Sequence, residues 1–205
     1  MLSRVRVRVE EPSETQTFLF ARSRLCSKAQ YFERAFGGNF IEAQTRMVVL
    51  TDVSIEDFRH FSNFILTGRV PLLLLESMIR LYVLADRFDS QNLRHAITTK
   101  LAPACFWPSF TVPSTSLLAF LDDNTAQSSP LRALLANAMA KRAYFHDINL
   151  PSPFKEIVEK ILSKPYGLCE RCYDHSLING TSTSECEHFF EEPADHDPER
   201  YRERA

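Results

Sequence analysis

The sequence predicts an α+β fold: short strands together with amphipathic helices, followed by an α-helical extension and a partly disordered acidic tail. Three observations carry this. Val5, Val7 and Val9 alternate with Arg4, Arg6 and Arg8, the two-residue period of a half-buried strand. Met78, Leu81, Tyr82, Ala85 and Phe88 recur at offsets of three and four, which lays them along one face of a helix. Between the two, Met47-Val48-Val49-Leu50 is a short β-branched run suited to a third, buried strand.

The first strand and the segment from Thr15 to Phe20, which can pair with it, are separated by Glu10-Glu11-Pro12-Ser13-Glu14. Proline is excluded from a central ladder, so the two strands predict a hairpin. From Ser23 the period turns helical, with Leu25, Phe32, Ala35 and Phe36 on one side, and Gly37-Gly38-Asn39 predicts its end through a left-handed glycine cap. Thr51-Asp52 closes the third strand. Ser54 with Asp57 three residues on resembles a capping box, opening a helix that buries Phe58, Phe61 and Ile65 with Phe64 beside them. Gly68 stops it. The Leu81 helix follows, then a shorter one from Ser90 carrying Leu93, Ile97 and Leu101.

Pro103, Pro108 and Pro113 mark 102–116 as a linker, packed down by Phe106, Trp107 and Phe110. The expected division is a first domain over 1–101, a helical extension over 117–164 and a tail over 165–205. Ser129-Pro130 and Ser152-Pro153 each set a cap residue before a proline at the first helical position. Leu131, Leu134, Leu135, Ala138 and Met139 stripe the first of these helices, and Phe154, Ile157, Val158, Ile161 and Leu162 the second. Past Pro165 the periodicity vanishes, and 191–205 has the composition of a disordered segment.

At 205 residues and 44% hydrophobic, the chain is long enough to bury its own core. The net charge of -2 hides an asymmetry: residues 165–205 hold 4 Lys and Arg against 10 Asp and Glu, whereas 1–164 hold 20 against 16. A nucleic-acid partner is not expected from so small and dispersed a basic surplus. The N-terminus lacks the apolar run of a secretory signal, and the longest apolar run, Leu72 to Leu75, falls far short of the roughly 20 residues that span a bilayer. An intracellular protein, cytoplasmic or nuclear, with no membrane partner is the expectation. No Ser-His-Asp or Cys-His arrangement, phosphate-cradling glycine loop or H-E-x-x-H stands on a plausible element, so no enzyme is expected. His60 and His95 lie off the apolar stripes.

Leu25-Cys26-Ser27-Lys28-Ala29-Gln30-Tyr31-Phe32, Phe40-Ile41-Glu42, Ile65-Leu66-Thr67-Gly68 and Leu81-Tyr82-Val83-Leu84-Ala85-Asp86-Arg87-Phe88 follow one another in order. Together they make the block over 18–101 resemble the BTB/POZ interaction domain. The resemblance implies a small mixed sheet packed on helical hairpins, and a module whose partner is a protein, either the cullin scaffold of a ubiquitin ligase or another BTB protein. In the cullin-docking adaptors a hydrophobic residue, any residue and a glutamate follow the second hairpin helix, and Phe40, Ile41 and Glu42 match that pattern. An exposed aromatic can anchor in a partner pocket, with a flanking carboxylate adding a charge-assisted bond. The alternative is that Phe40 packs back under the third strand and Glu42 is a solvated loop charge. Three positions depart from the family pattern. Ala29 stands where a serine is common, Leu66 stands where a tyrosine is common, and the chain begins inside the first strand, without the helix through which many members swap and dimerise. Such a start leaves dimerisation open and predicts a first strand exposed at a sheet edge, its valines available to a partner strand.

Five cysteines, an odd number, point to reduced thiols or metal ligands rather than a disulfide framework. Cys26 and Cys105 sit among apolar residues as small hydrophobes. Cys169 and Cys172 form a C-x-x-C pair whose sulfurs can reach one point, and Cys186 with His188 can close the other side of a tetrahedral Zn2+, with His175 as a spare. The alternative is a floppy tail with incidental cysteines. Two functions therefore stay open. One is a substrate adaptor of a cullin ubiquitin ligase, its substrate held by residues 115–205 or by a second protein. The other is a scaffold for homo- or hetero-oligomerisation or transcriptional regulation that binds no cullin. Phe40 and Glu42 separate them, because turned inward they remove the anchor.

Overall fold

The computed structural model describes residues 3–106, 110–145, 154–156 and 158–159. The predicted hairpin is β1 (Arg4–Glu10) and β2 (Thr15–Ala21), antiparallel, with Val5 opposite Phe20 and Val7 opposite Phe18. β3 (Met47–Leu50) pairs with the other side of β1 in parallel, Val7 facing Val48 and Val9 facing Leu50. The sheet order is β2-β1-β3, so the first strand is central rather than at an edge. The chain returns through three helices to lay Met47–Leu50 on β1's free ladder, and this buries Val5, Val7 and Val9 on one face with Val48 and Leu50.

The single helix predicted from Ser23 is two helices. α1 (Arg22–Cys26) and α2 (Gln30–Gly37) are separated by 27–29, where buried Ala29 is extended at φ -150°. No side chain caps α2. Its first N–H groups donate instead to carbonyls just past α5 (Leu75–Arg87): Tyr31 to Phe88 at 3.2 Å and Gln30 to Asp89 at 3.4 Å. A tertiary partner thus satisfies donors that a helix start leaves open. α2 ends at Gly38 as expected, but at φ -93° and not through a left-handed cap. The left-handed residue is Arg46, φ 53°, at the end of α3 (Ile41–Thr45), a short helix that sequence periodicity did not reveal.

α4 (Ile55–Thr67) follows the expectation closely. Ser54 Oγ accepts from the Asp57 N–H at 3.0 Å, and Gly68, at φ 75°, donates its N–H to the Phe64 carbonyl at 2.8 Å. Phe58, Phe61 and Ile65 are fully buried, as are Leu81 and Ala85 of α5 and Phe88 at its cap. Their rings form the centre of the core: Phe32 to Phe88 at 4.9 Å, Phe61 to Phe88 at 5.0 Å, Phe58 to Phe61 at 5.6 Å. Phe18 joins the sheet to this cluster, 4.8 Å from Phe58.

α6 (Gln91–Phe106) is longer than predicted and takes in the first residues of the proline-rich stretch, with Pro103 inside it and Cys105 buried. Pro103 has no N–H to give the carbonyl four residues earlier and its ring crowds that carbonyl, so it interrupts the hydrogen-bond ladder in the last turns of the helix. α7 (Thr115–Asn124) opens at Ser114, whose Oγ accepts from the Leu117 N–H at 3.3 Å. Sequence reading did not single out this helix; Leu117, Leu118 and Leu121 are its buried apolar face. α8 (Pro130–Phe145) begins at Pro130 as predicted, while the Ser129 hydroxyl turns to Tyr82 Oη at 3.1 Å. Phe154 and Val158 are buried. Ser152-Pro153, Ile157, Ile161 and Leu162 lie outside the described residues.

Candidate functional site

The short connection from α2 to α3 carries the residues expected to bind a partner. Phe40 is the N-cap of α3, in extended conformation, and its carbonyl accepts from the Ala43 and Gln44 N–H groups at 3.1 and 3.3 Å. The backbone is thereby held while the side chains project: Phe40 is 62% exposed and Ile41 65%. Glu42 lies half-buried in the first turn. Phe40 does not pack beneath β3. Its ring instead lies over Gly38, where an added Cβ would stand 2.8 Å from Phe40 Cδ2. Gly38 both ends α2 and, having no Cβ, lets an aromatic ring lie on bare backbone.

A second apolar surface, not singled out from the sequence, lies in the α4–α5 connection. Leu72 is 91% exposed and Leu74 81%, on a loop tied down by Lys100 Nζ, which donates to the Val70 and Pro71 carbonyls at 2.9 Å each. Four leucines in a row set no direction by themselves, and only the folded chain shows that Leu72 and Leu74 face outward.

Charged groups serve structure around these surfaces. Arg94 pairs with Asp86 and, at 3.5 Å, with Asp89, tying α6 to the end of α5. Arg87 holds Asp52 at 2.7 Å, and that hydrogen bond keeps the Asp52 carboxyl below its usual range. Burial pushes the Cys26 thiol up, and Cys105 up to about 12, so both are poor nucleophiles at neutral pH. His60 lies 3.9 Å from Glu56, and His95 is exposed. A cleft of about 310 Å³ opens between α5, α6 and α8 beside Tyr82, Arg94, Thr98 and Leu134. Among the described residues no group of three His, Cys, Asp or Glu can hold a metal ion, and no helix is long and apolar enough to cross a membrane. Cys169, Cys172, His175, Cys186 and His188 lie outside the described residues.

Residues 2–103 match the family model for the BTB/POZ domain. This chain carries a BTB/POZ domain. The match runs from β1 into the last turn of α6 and contains Phe40, Ile41 and Glu42, so the exposed aromatic belongs to a protein-interaction module. α7 and α8 lie beyond the BTB/POZ match. Among solved structures the chain is similar to the BTB domain of zebrafish PATZ1, at 18% identity and a TM-score of 0.38, over 47% of this chain and 75% of that one. Among curated proteins nothing matches.

Proposed function

We propose that this BTB/POZ protein is a substrate adaptor that docks onto a cullin ubiquitin-ligase scaffold through Phe40, Ile41 and Glu42. The observation supporting it is the outward presentation of Phe40 and Ile41 on a backbone already held by α3. Burying a Phe side chain in a partner pocket is worth about 1.5–3 kcal/mol, and a backbone set in advance loses little entropy on binding. Glu42, two positions on, offers a carboxylate for a charge-assisted bond. Residues 115–205 or a second protein would hold the substrate.

Calorimetric titration with a cullin N-terminal domain tests the proposal, with Phe40→Ala and Glu42→Lys alongside and folding checked by circular dichroism. Sub-micromolar binding lost in both folded variants supports the adaptor reading. A folded wild-type chain that does not bind removes it. A second reading, a scaffold that associates with itself or with another BTB protein without a cullin, is favoured by the exposure of Leu72 and Leu74. Sedimentation of wild type and Leu72→Ser/Leu74→Ser chains decides that one. Zn2+ binding by Cys169, Cys172, Cys186 and His188 is proposed on ligand spacing alone, and about one zinc per chain by elemental analysis is the result that supports it.

A further inference from the structure

The three-stranded sheet has two unlike faces. One buries Val5, Val7, Val9, Val48 and Leu50 against the helices. The other carries a row of arginines along its central strand, with Arg4 and Arg6 exposed and Arg8 half-buried. The register sets Arg6 between Leu19 of β2 and Met47 of β3, and Arg8 between Thr17 and Val49. Leu19 is 53% exposed and Val49 40%, so the described residues leave this face uncovered. Arg8 is paired with Glu10 at 2.7 Å; among the described residues neither Arg4 nor Arg6 has an ion pair.

Alternate residues of a strand stand about 7 Å apart, so the arginine row can be matched by an extended chain with carboxylates at every second position. The acidic tail contains two such stretches. Asp195, Asp197 and Glu199 have only Ala194, His196 and Pro198 beside and between them, with no large apolar side chain among them to set on Leu19 or Val49, and Arg200, Arg202 and Arg204 follow at once and offset their charge. Segment 185–192 holds Glu185, Glu187, Glu191 and Glu192 with Phe189 and Phe190 and no Lys or Arg. It has both the opposite charge and the apolar side chains that would complement the sheet face.

We propose that the outer face of the sheet is the docking site for this chain's own segment 185–192, whose Glu185, Glu187 and Glu191 pair with Arg4 and Arg6 and whose Phe189, on the same side of the extended segment, covers the exposed apolar surface beside them. The reach is sufficient. The 25 residues over 160–184 span up to about 80 Å extended and about 28 Å on average as a flexible chain, against a radius near 13 Å for a 100-residue domain. Held in this way, the tail shields a basic, partly apolar face from acidic partners. The contact does not depend on Phe40, so it stands apart from the docking reading above.

The test titrates a fluorescent peptide of residues 183–194 into the full-length chain and into a full-length Glu185→Gln/Glu187→Gln/Glu191→Gln chain at low salt. A tethered segment competes at millimolar effective concentration, so the variant is expected to bind the peptide about tenfold more tightly than wild type. Adding Arg6→Glu to that variant should weaken binding by at least about tenfold, and 0.5 M salt should do the same. An Asp195→Asn/Asp197→Asn/Glu199→Gln chain should behave as wild type. Equal affinity for wild type and the glutamine variant, or no binding to either, overturns the proposal. So does peptide binding that survives Arg6→Glu, or displacement of the peptide by equal charge of a DNA oligonucleotide or phosphatidylserine vesicles, which would mark a general polyanion surface. Should Arg6→Glu fail to fold, Arg4→Gln/Arg6→Gln keeps most of both stems and is read in the same titration.

Discussion

Ser129 donates its hydroxyl to Tyr82 Oη at 3.1 Å across 47 residues of sequence, a buried hydrogen bond joining the start of α8 to the middle of α5. The BTB/POZ match ends at residue 103, so this bond ties the domain to the helices that follow it. Tyr82→Phe and Ser129→Ala are each expected to cost about 1 kcal/mol, the usual net worth of such a bond, with more where a polar atom is left stranded. A double-mutant cycle by urea unfolding should return a coupling of about 0.5–1.5 kcal/mol. Strict additivity would show that the two groups contribute nothing to each other.

Arg132 is only 4% exposed, pairs with Asp122 of α7 and lies 5.9 Å over the Phe154 ring. Asp122→Ala strands that charge and is expected to cost about 3–5 kcal/mol, whereas replacing both partners with Arg132→Met/Asp122→Leu should cost far less. Thermal melts of the two chains against wild type check the order. A single variant as stable as the double would mean that the guanidinium finds water.

Burial raises the Cys105 thiol from 9.0 to about 12, so the folded state favours the neutral form. The stability gained from burying it is intact below pH 9 and falls as pH rises from 9 toward 12. The loss by pH 10 is expected to be about 1 kcal/mol. Denaturation curves at pH 8 and pH 10 should show it in wild type and show less in Cys105→Ala. Cys105 should also resist thiol reagents until the chain unfolds.

Two glycines separate backbone strain from steric room. Gly68 has φ 75° and its Cβ would meet nothing nearer than Lys28 Nζ at 3.5 Å, so Gly68→Ala is expected to cost about 1 kcal/mol of stability through conformation alone. Gly38 has an ordinary φ, but its Cβ would stand 2.8 Å from the Phe40 ring. Gly38→Ala should leave the melting temperature nearly unchanged while shifting the Phe40 ring resonances, and the cullin binding proposed above should fall with that shift. A large loss of stability in Gly38→Ala would mean that the ring is a structural contact.

Much of the fold was legible because local patterns carry it. The Val and Arg alternation of β1, the Ser54 cap, the Gly68 stop and the α5 stripe each follow from period, capping chemistry or backbone freedom within a few residues. The Phe40-Ile41-Glu42 pattern was legible, but its exposure was not. The outcome for Phe40 turned on Gly38 offering open backbone and on α3 holding the cap, neither of which changes the period.

The sequence by itself determined the apolar faces of β1, α4 and α5, where α4 begins and ends, and that acidic charge concentrates in the tail. Only the tertiary structure decided that β1 is the central strand, that the helix from Ser23 breaks at 27–29, and that Phe40, Leu72 and Leu74 face solvent. The physical reason is range. Side-chain period is set by neighbours three or four positions away, whereas β1's second ladder is filled from residues 47–50 and α2's free N–H groups from carbonyls 57 and 59 positions further along the chain.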